Sequence, residues 1–374
     1  MATDPQRSFQ VMVGQRIKAA RKALGMTQQD LSQQTGFKDR QILSNIESGL
    51  RKLSSSELLT LMKALKKDLE YFTDPLRLVG EGAFCWRAEA EAGVLDAFEE
   101  KAKTWIAAYR TLGERLGEPV SPLVSQIPIT PRSSYEEAWE VAVRLRREWD
   151  LREDIASAVP RVAEERLKVL VLYVEAPPGI SGTACHLRDL NAVLINRRDP
   201  DGRRAYDFAH ELFHLLTWQA MPPERIETDD PRKPKVRRME QLANNFASEL
   251  LMPREEVEAL WRERGRQEIH NWINSTAKKL GVTSKALRWR LRNLRLLSVA
   301  DEQSISDALL TWNGNVPSRR TLPPLYSRAF VERLQKALER GFISVRRTAQ
   351  LLDMTIEDLE DLIRSYGLEV PFEL

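Results

Sequence analysis

The sequence predicts a mainly α-helical chain with one small β-sheet, an α+β protein, on three observations. Short apolar-patterned segments punctuated by Gly25, Gly36 and Gly49 read as a bundle of short helices. Longer stretches around Ala209–Leu216 and Leu242–Leu251 carry apolar residues at three- and four-residue spacing, the signature of amphipathic helices. Between them, Lys168–Val174 is β-branched and apolar enough for a buried strand. A length of 374 residues exceeds one ordinary core, so several domains are expected. The boundaries read as 9–75, 84–117, 130–265 and 266–374.

Residues 9–75 open with a helix carried by Val13, Ile17, Ala20 and Leu24 and ended by Gly25. Thr27 is placed to cap the next helix, with Asp30 three residues on completing a capping box. Gly36 makes the turn, and Asp39–Ser48 forms a third helix closed by Gly49. Helix, glycine turn, helix is the arrangement whose second helix enters a DNA major groove. Gly14–Ile17, Gly25–Leu31 (Gly-Met-Thr-Gln-x-x-Leu) and Ile46–Gly49 (Ile-Glu-Ser-Gly) resemble the Cro/C1-type, or xenobiotic-response-element, DNA-binding domain. Gln28, Arg40, Gln41, Ser44 and Asn45 are then the side chains expected towards bases. Arg16, Lys38, Arg51 and Lys52 suit phosphates. Eleven basic against seven acidic residues over 9–75 fit a phosphate-facing surface. The competing reading makes this bundle a protein-interaction module with solvated polar faces.

Residues 84–117 are Ala- and Glu-rich and read as a long connecting helix or helix pair. Glu118–Pro122, then Pro128 and Pro131, read as a linker. A helix is expected over Tyr135–Trp149, followed by the strand at 168–174. Thr183–Leu187 and Ala192–Asn196 form a paired second and third strand. The irregular Met221–Lys235, rich in proline and aspartate, is a loop suited to cover a cleft. Residues 276–297 form a second helix-turn-helix-like unit with seven basic residues and no acidic one. It contacts nucleic acid or is a scaffold pair with a solvated basic face, and the scaffold reading is favoured. Beyond Pro317 the tail is helical, and the acidic Glu357, Asp358, Glu360 and Asp361 favour docking over DNA.

The densest chemical signal is His210-Glu211-Leu212-Phe213-His214. At 3.6 residues per turn the two imidazoles share one helix face and reach one ion. Glu211 lies beside the first of them, placed to act on a water rather than on the metal. The chain holds only 4 histidines. Chance matches to His-Glu-x-x-His number on the order of 0.003. A catalytic zinc takes three protein ligands and keeps one position open. The next helix, Arg238–Met252, carries Glu-x-x-Ala-Asn-x-Phe-Ala-x-x-Leu-Leu-Met-Pro from Glu240 to Pro253. Together with His-Glu-x-x-His it resembles the ImmA/IrrE family of zinc metallopeptidases, a zincin-like domain. The resemblance implies Zn²⁺ held by His210, His214 and Glu240, with Glu211 as the catalytic base. Asn244 or Glu249 would orient the imidazoles, and Tyr206 is a candidate oxyanion donor. His186 and His270 are read as packing or surface residues.

The resemblances together imply a DNA-binding transcriptional regulator with zinc endopeptidase activity against a repressor or antitoxin. Its partners would be double-stranded operator DNA and an extended stretch of that protein, paired as an added strand. Self-cleavage in trans is a further option. The alternative is a transcription factor or antitoxin that uses the zinc fold as a ligand or partner sensor without turnover; the intact Glu211 weighs against it. Half-site reading makes a homodimer compatible. The absence of a membrane-length apolar run and of a signal-peptide core points to a cytoplasmic protein. Cys85 and Cys185, far apart, suggest neither disulfide nor thiolate metal site.

Overall fold

The computed structural model describes residues 5–120, 126–152, 154–227, 230–312 and 322–373. Ser121 and Pro122 of the expected linker, Asp229 of the expected loop, and Pro317 lie outside them. The chain is mainly helical with one four-stranded sheet. It divides into two compact units, residues 1–82 with 101–111, and residues 83–100 with 112–374.

The first unit holds α1 (Pro5–Ala23), α2 (Gln28–Thr35), α3 (Arg40–Glu47), α4 (Ser55–Leu65) and α5 (Leu69–Thr73). The capping box forms as the residue types require: Thr27 accepts from the Asp30 amide, and Asp30 accepts from the Thr27 amide. Gly36 ends α2 in the left-handed region, at φ 73°, and Asp39 caps α3. Val13, Ile17, Leu31, Leu43, Ile46, Leu61, Leu65 and Phe72 fill the core. A Cβ on Gly14 would lie 2.2 Å from the Ile46 carbonyl oxygen, so only glycine lets α1 cross α3 this closely.

The second unit begins with β1 (Ala83–Ala88) and contains both ends of α6 (Ala92–Leu116). It continues through α7 (Tyr135–Glu148), α8 (Ile155–Glu165), β2 (Leu170–Val174), β3 (Ile180–His186), β4 (Asn191–Asn196), α9 (Asp201–Thr217) and α10 (Pro234–Leu251). Next come α11 (Arg254–Arg262), α12 (Ile269–Leu280), α13 (Ser284–Asn293) and α14 (Val299–Ser304). The last helices are α15 (Arg328–Glu339), α16 (Val345–Leu352) and α17 (Ile356–Ser365). The sheet order is β1-β3-β4-β2, antiparallel except for the β2–β4 pair.

The strand β1 corrects the helical reading of residues 84–88. Phe84, Cys85 and Trp86 pair with β3 and are all buried, so this apolar run is a strand covered on both faces rather than part of the helix that follows at Ala92. Helix α9 packs across β3 and β4, and α10 packs on α9 and α7. The N-terminus of α9 rests on the turn between α12 and α13. A Cβ on Gly202 would lie 2.6 Å from the carbonyl carbon of Val282, which demands glycine there. Trp272, Ile273, Leu287 and Leu291 of α12 and α13 belong to the same core as Phe208, Phe213 and Phe246.

Candidate metal centre and nucleic-acid face

Helix α9 is buried along most of its length, and one face carries the whole motif inwards. His210, Glu211 and His214 are each exposed by 1% or less, which removes them from bulk water. Glu240, in the second turn of α10, faces them across the α9–α10 contact. A third carboxylate, Glu227, arrives from the irregular segment between the two helices. His210, His214, Glu227 and Glu240 each offer a ligand atom within 4.8 Å of the others.

The spacings fit a four-coordinate ion. The two histidine Nε2 atoms lie 3.1 Å apart. Nε2 of His210 is 3.2 Å from Glu240 and 3.4 Å from Glu227. Nε2 of His214 is 3.8 Å from each carboxylate. Ligands at about 2.0–2.1 Å from a tetrahedral zinc stand about 3.3–3.4 Å apart. Burial supplies a second argument. One oxygen of Glu227, one of Glu240 and both of Glu211 are buried without a hydrogen-bond partner. Buried acceptors of this kind call for a cation or water. The donor set, imidazole and carboxylate, suits zinc.

The electrostatics are mutually dependent. Burial opposes protonation of His210, but the carboxylates of Glu227 and Glu240 outweigh it and lift the imidazole to about 9. The same attraction holds Glu227 and Glu240 below the ordinary carboxylate range in spite of burial. Glu211 goes the other way: burial and then the neighbouring Glu227 carboxylate raise it well above 4.5. Two carboxylates close together in a dry site are driven apart in this manner, one a poised base and the other a fixed anion.

Of the two candidate orienting residues, Asn244 is the one the structure brings to the histidines. Its Oδ1 lies 3.1 Å from His210 Nδ1, which fixes Nε2 towards the centre. Glu249 instead pairs with the buried Arg290, far along α10. The Tyr206 hydroxyl donates 3.1 Å to the Asn244 carbonyl and braces α9 on α10. His186 contacts Asn191 at 2.7 Å and the ring of Trp218, outside the cluster. Glu227 is the residue that sequence reasoning missed. No motif surrounds it, and its placement comes from a long-range pairing: the Glu227 amide donates 3.0 Å to the Trp86 carbonyl of β1.

In the first unit, α3 presents Arg40 and Gln41 exposed to solvent, with Ser44 and Asn45 half-buried on the same side. Lys38 is exposed just before the helix, and Gln41 donates 3.1 Å to Asn45. Gln28 differs, because its amide donates 2.8 Å to the buried Glu47. Arg16, expected at a phosphate, is 2% exposed and donates to the carbonyls of Tyr71 and Arg77. It is a structural residue that ties α1 to the end of α5. Arg51 pairs with Glu57 at 2.8 Å, and Lys52 is exposed.

In the second helix-turn-helix-like unit, four of the seven basic residues pair with acidic side chains. Arg290 is fully buried on Glu249, while Lys285 and Arg288 pair with Asp307 and Arg292 with Glu302. No helix among the described residues is long and apolar enough to cross a membrane.

Two stretches of the chain match known families. Residues 17–72 match the family described as helix-turn-helix. Residues 164–292 match a peptidase family described as the IrrE N-terminal-like domain. No curated relative matches the sequence. Among solved structures, the apo form of the competence regulator ComR from Streptococcus vestibularis aligns over 96% of this chain and 100% of its own. Its identity is 11% and its TM-score 0.17, too low to bear on fold or function.

Proposed function

We propose that this chain, which joins a Cro/C1-type helix-turn-helix domain to an ImmA/IrrE-like domain, is a DNA-binding regulator with zinc-dependent endopeptidase activity. The observation that supports the peptidase half best is Glu211, a buried carboxylate of raised proton affinity beside two histidines and Glu240. A purely structural metal site needs no such base.

His210, His214 and Glu240 would hold the ion. Zinc bound there supplies a Lewis acid that polarises a carbonyl and makes water nucleophilic near neutral pH. Glu211 then takes a proton from the attacking water and delivers it to the leaving amide nitrogen. Asn244 keeps the His210 ring oriented, and burial of the cluster removes competing water. The substrate would be a helix-turn-helix repressor or an antitoxin, cut in control of a stress response or a mobile element, as the family resemblance implies. The first unit would hold the enzyme at an operator through Lys38, Arg40, Gln41, Ser44 and Asn45 of its exposed face, with Gln28 beside them.

The test pairs zinc content with cleavage. Glu227 sits at the fourth corner, so the native chain and Glu227→Ala are each prepared with and without Glu211→Gln. All are incubated with repressors encoded in the same genome. Equal zinc throughout, and a product that vanishes with Glu211→Gln, supports the reading. Zinc without product in every preparation leaves the sensor alternative.

A further inference from the structure

The segment Arg225–Glu227 occupies two positions that a working peptidase needs vacant. Its first position is on the sheet. Trp86 of β1 donates to the Arg225 carbonyl at 2.8 Å and accepts from the Glu227 amide at 3.0 Å, so the segment runs as a short parallel strand along β1. This is the sheet edge on the side of the histidines. An extended peptide that adds to β1 must use those same two groups of Trp86. Its second position is at the centre. Glu227 approaches both histidines, and its charge acts on Glu211 more strongly than that of any other residue. The water that Glu211 activates has to lie between Glu211 and the histidines, and the Glu227 carboxylate stands against both.

We infer that Arg225–Glu227 is an internal strap that holds the site latent, with Glu227 as a fourth protein ligand and its backbone in place of substrate. The inference rests on the peptidase reading above. Four protein ligands describe a closed metal site, whereas a catalytic one keeps a position open. Two ion-pair systems fix the strap. Arg87, itself bound to Asp207 at 3.3 Å, reaches Glu227 at 3.9 Å. Arg225 pairs with Glu99 at 2.9 Å and with Asp96, both on α6, and Glu99 also accepts from the Trp86 indole at 2.8 Å. The Arg225–Asp96 pair is the exposed part of this anchorage, with the Arg225 side chain 47% and that of Asp96 61% exposed, and exposed ion pairs hold weakly. An extended substrate segment can therefore displace the strap by taking over its backbone hydrogen bonds, and in doing so withdraw Glu227 and open the fourth position.

The test replaces the metal with Co²⁺ and adds azide, a small ligand that reports an open coordination position through the visible spectrum. The native chain should show a cobalt spectrum indifferent to azide, and Glu227→Ala one that shifts. Arg225→Ala, which leaves every ligand in place, should respond partially, and it guards against a Glu227 variant that fails to fold. Hydrolysis of an unstructured protein such as casein by the zinc-loaded chain should rise at least tenfold in Glu227→Ala. A native cobalt spectrum that responds to azide as fully as the variant's overturns the strap, whatever the hydrolysis. A variant that opens to azide yet cuts nothing keeps the closed site and sinks the peptidase reading instead.

Discussion

Asn244 Oδ1 lies 3.1 Å from Nδ1 of His210, one turn along α10 from Glu240. A single helix thus supplies both a carboxylate for the centre and the group that fixes the opposite imidazole. Asn244→Ala should leave the fold intact and weaken zinc binding by about 10–100-fold, the usual penalty for losing such a partner. Competition with a chromogenic chelator measures it, and unchanged affinity would show that packing alone orients the ring.

Arg290 and Glu249 form a fully buried pair behind the centre, joined to the Met252 carbonyl through Arg290. Arg290→Met strands a buried carboxylate and should cost about 3–5 kcal/mol. Adding Glu249→Leu should recover most of that loss. Urea denaturation of both variants decides, and a double variant as weak as the single would argue that the pair shapes α10 in some further way.

Burial holds the Glu164 carboxyl at about 7, against 4.5 for an ordinary one. Between these values the folded chain keeps a proton that the unfolded chain has released. Stability from this group is therefore complete below about 4.5 and falls as pH rises towards 7. Glu164→Gln, which mimics the protonated acid, should be the more stable protein above pH 7, by about 1.4 kcal/mol for each tenfold rise in proton affinity that burial imposes on the carboxyl. Urea midpoints at pH 5.5 and 8 test the sign, which is reversed if the carboxyl is ionised in the fold.

Lys38 stands exposed at the entrance to α3, and Arg40 and Gln41 on its outer face. Lys38→Ala should weaken binding to all DNA sequences alike and lower the salt slope by about 1. Arg40→Ala and Gln41→Ala should cost about 1–3 kcal/mol on the operator only. Fluorescence anisotropy with operator and scrambled duplexes separates the two patterns. Arg16→Ala should instead appear as lost stability, since its guanidinium is buried on main-chain carbonyls.

The helices of both units could be read locally, because caps, glycine turns and apolar spacing act within a few residues. The convergence of Glu240 on His210 and His214 was expected only through the family resemblance of the two motifs, since spacing alone does not say which helices pack together. Three features escaped because they depend on distant partners. Strand β1 becomes a strand by pairing with β3, nearly a hundred residues on, although Gly80 and Gly82 and the run Phe84-Cys85-Trp86 were a usable signal. Arg16 and Arg290 look like their solvent-facing neighbours in sequence, and only the tertiary arrangement buries them. Glu227 has no local signature at all; Trp86 positions it.

Both outer edges of the sheet are covered by the chain itself. Arg225–Glu227 lies along β1, and the Tyr326 amide donates 2.7 Å to the Tyr173 carbonyl on β2. Bare strand edges are templates for aggregation. Lifting the strap for long would expose such a template beside the stacked rings of Phe84 and Trp86. An opened molecule without a peptide to clasp is thus a self-associating one, and solubility favours brief opening in the company of a client.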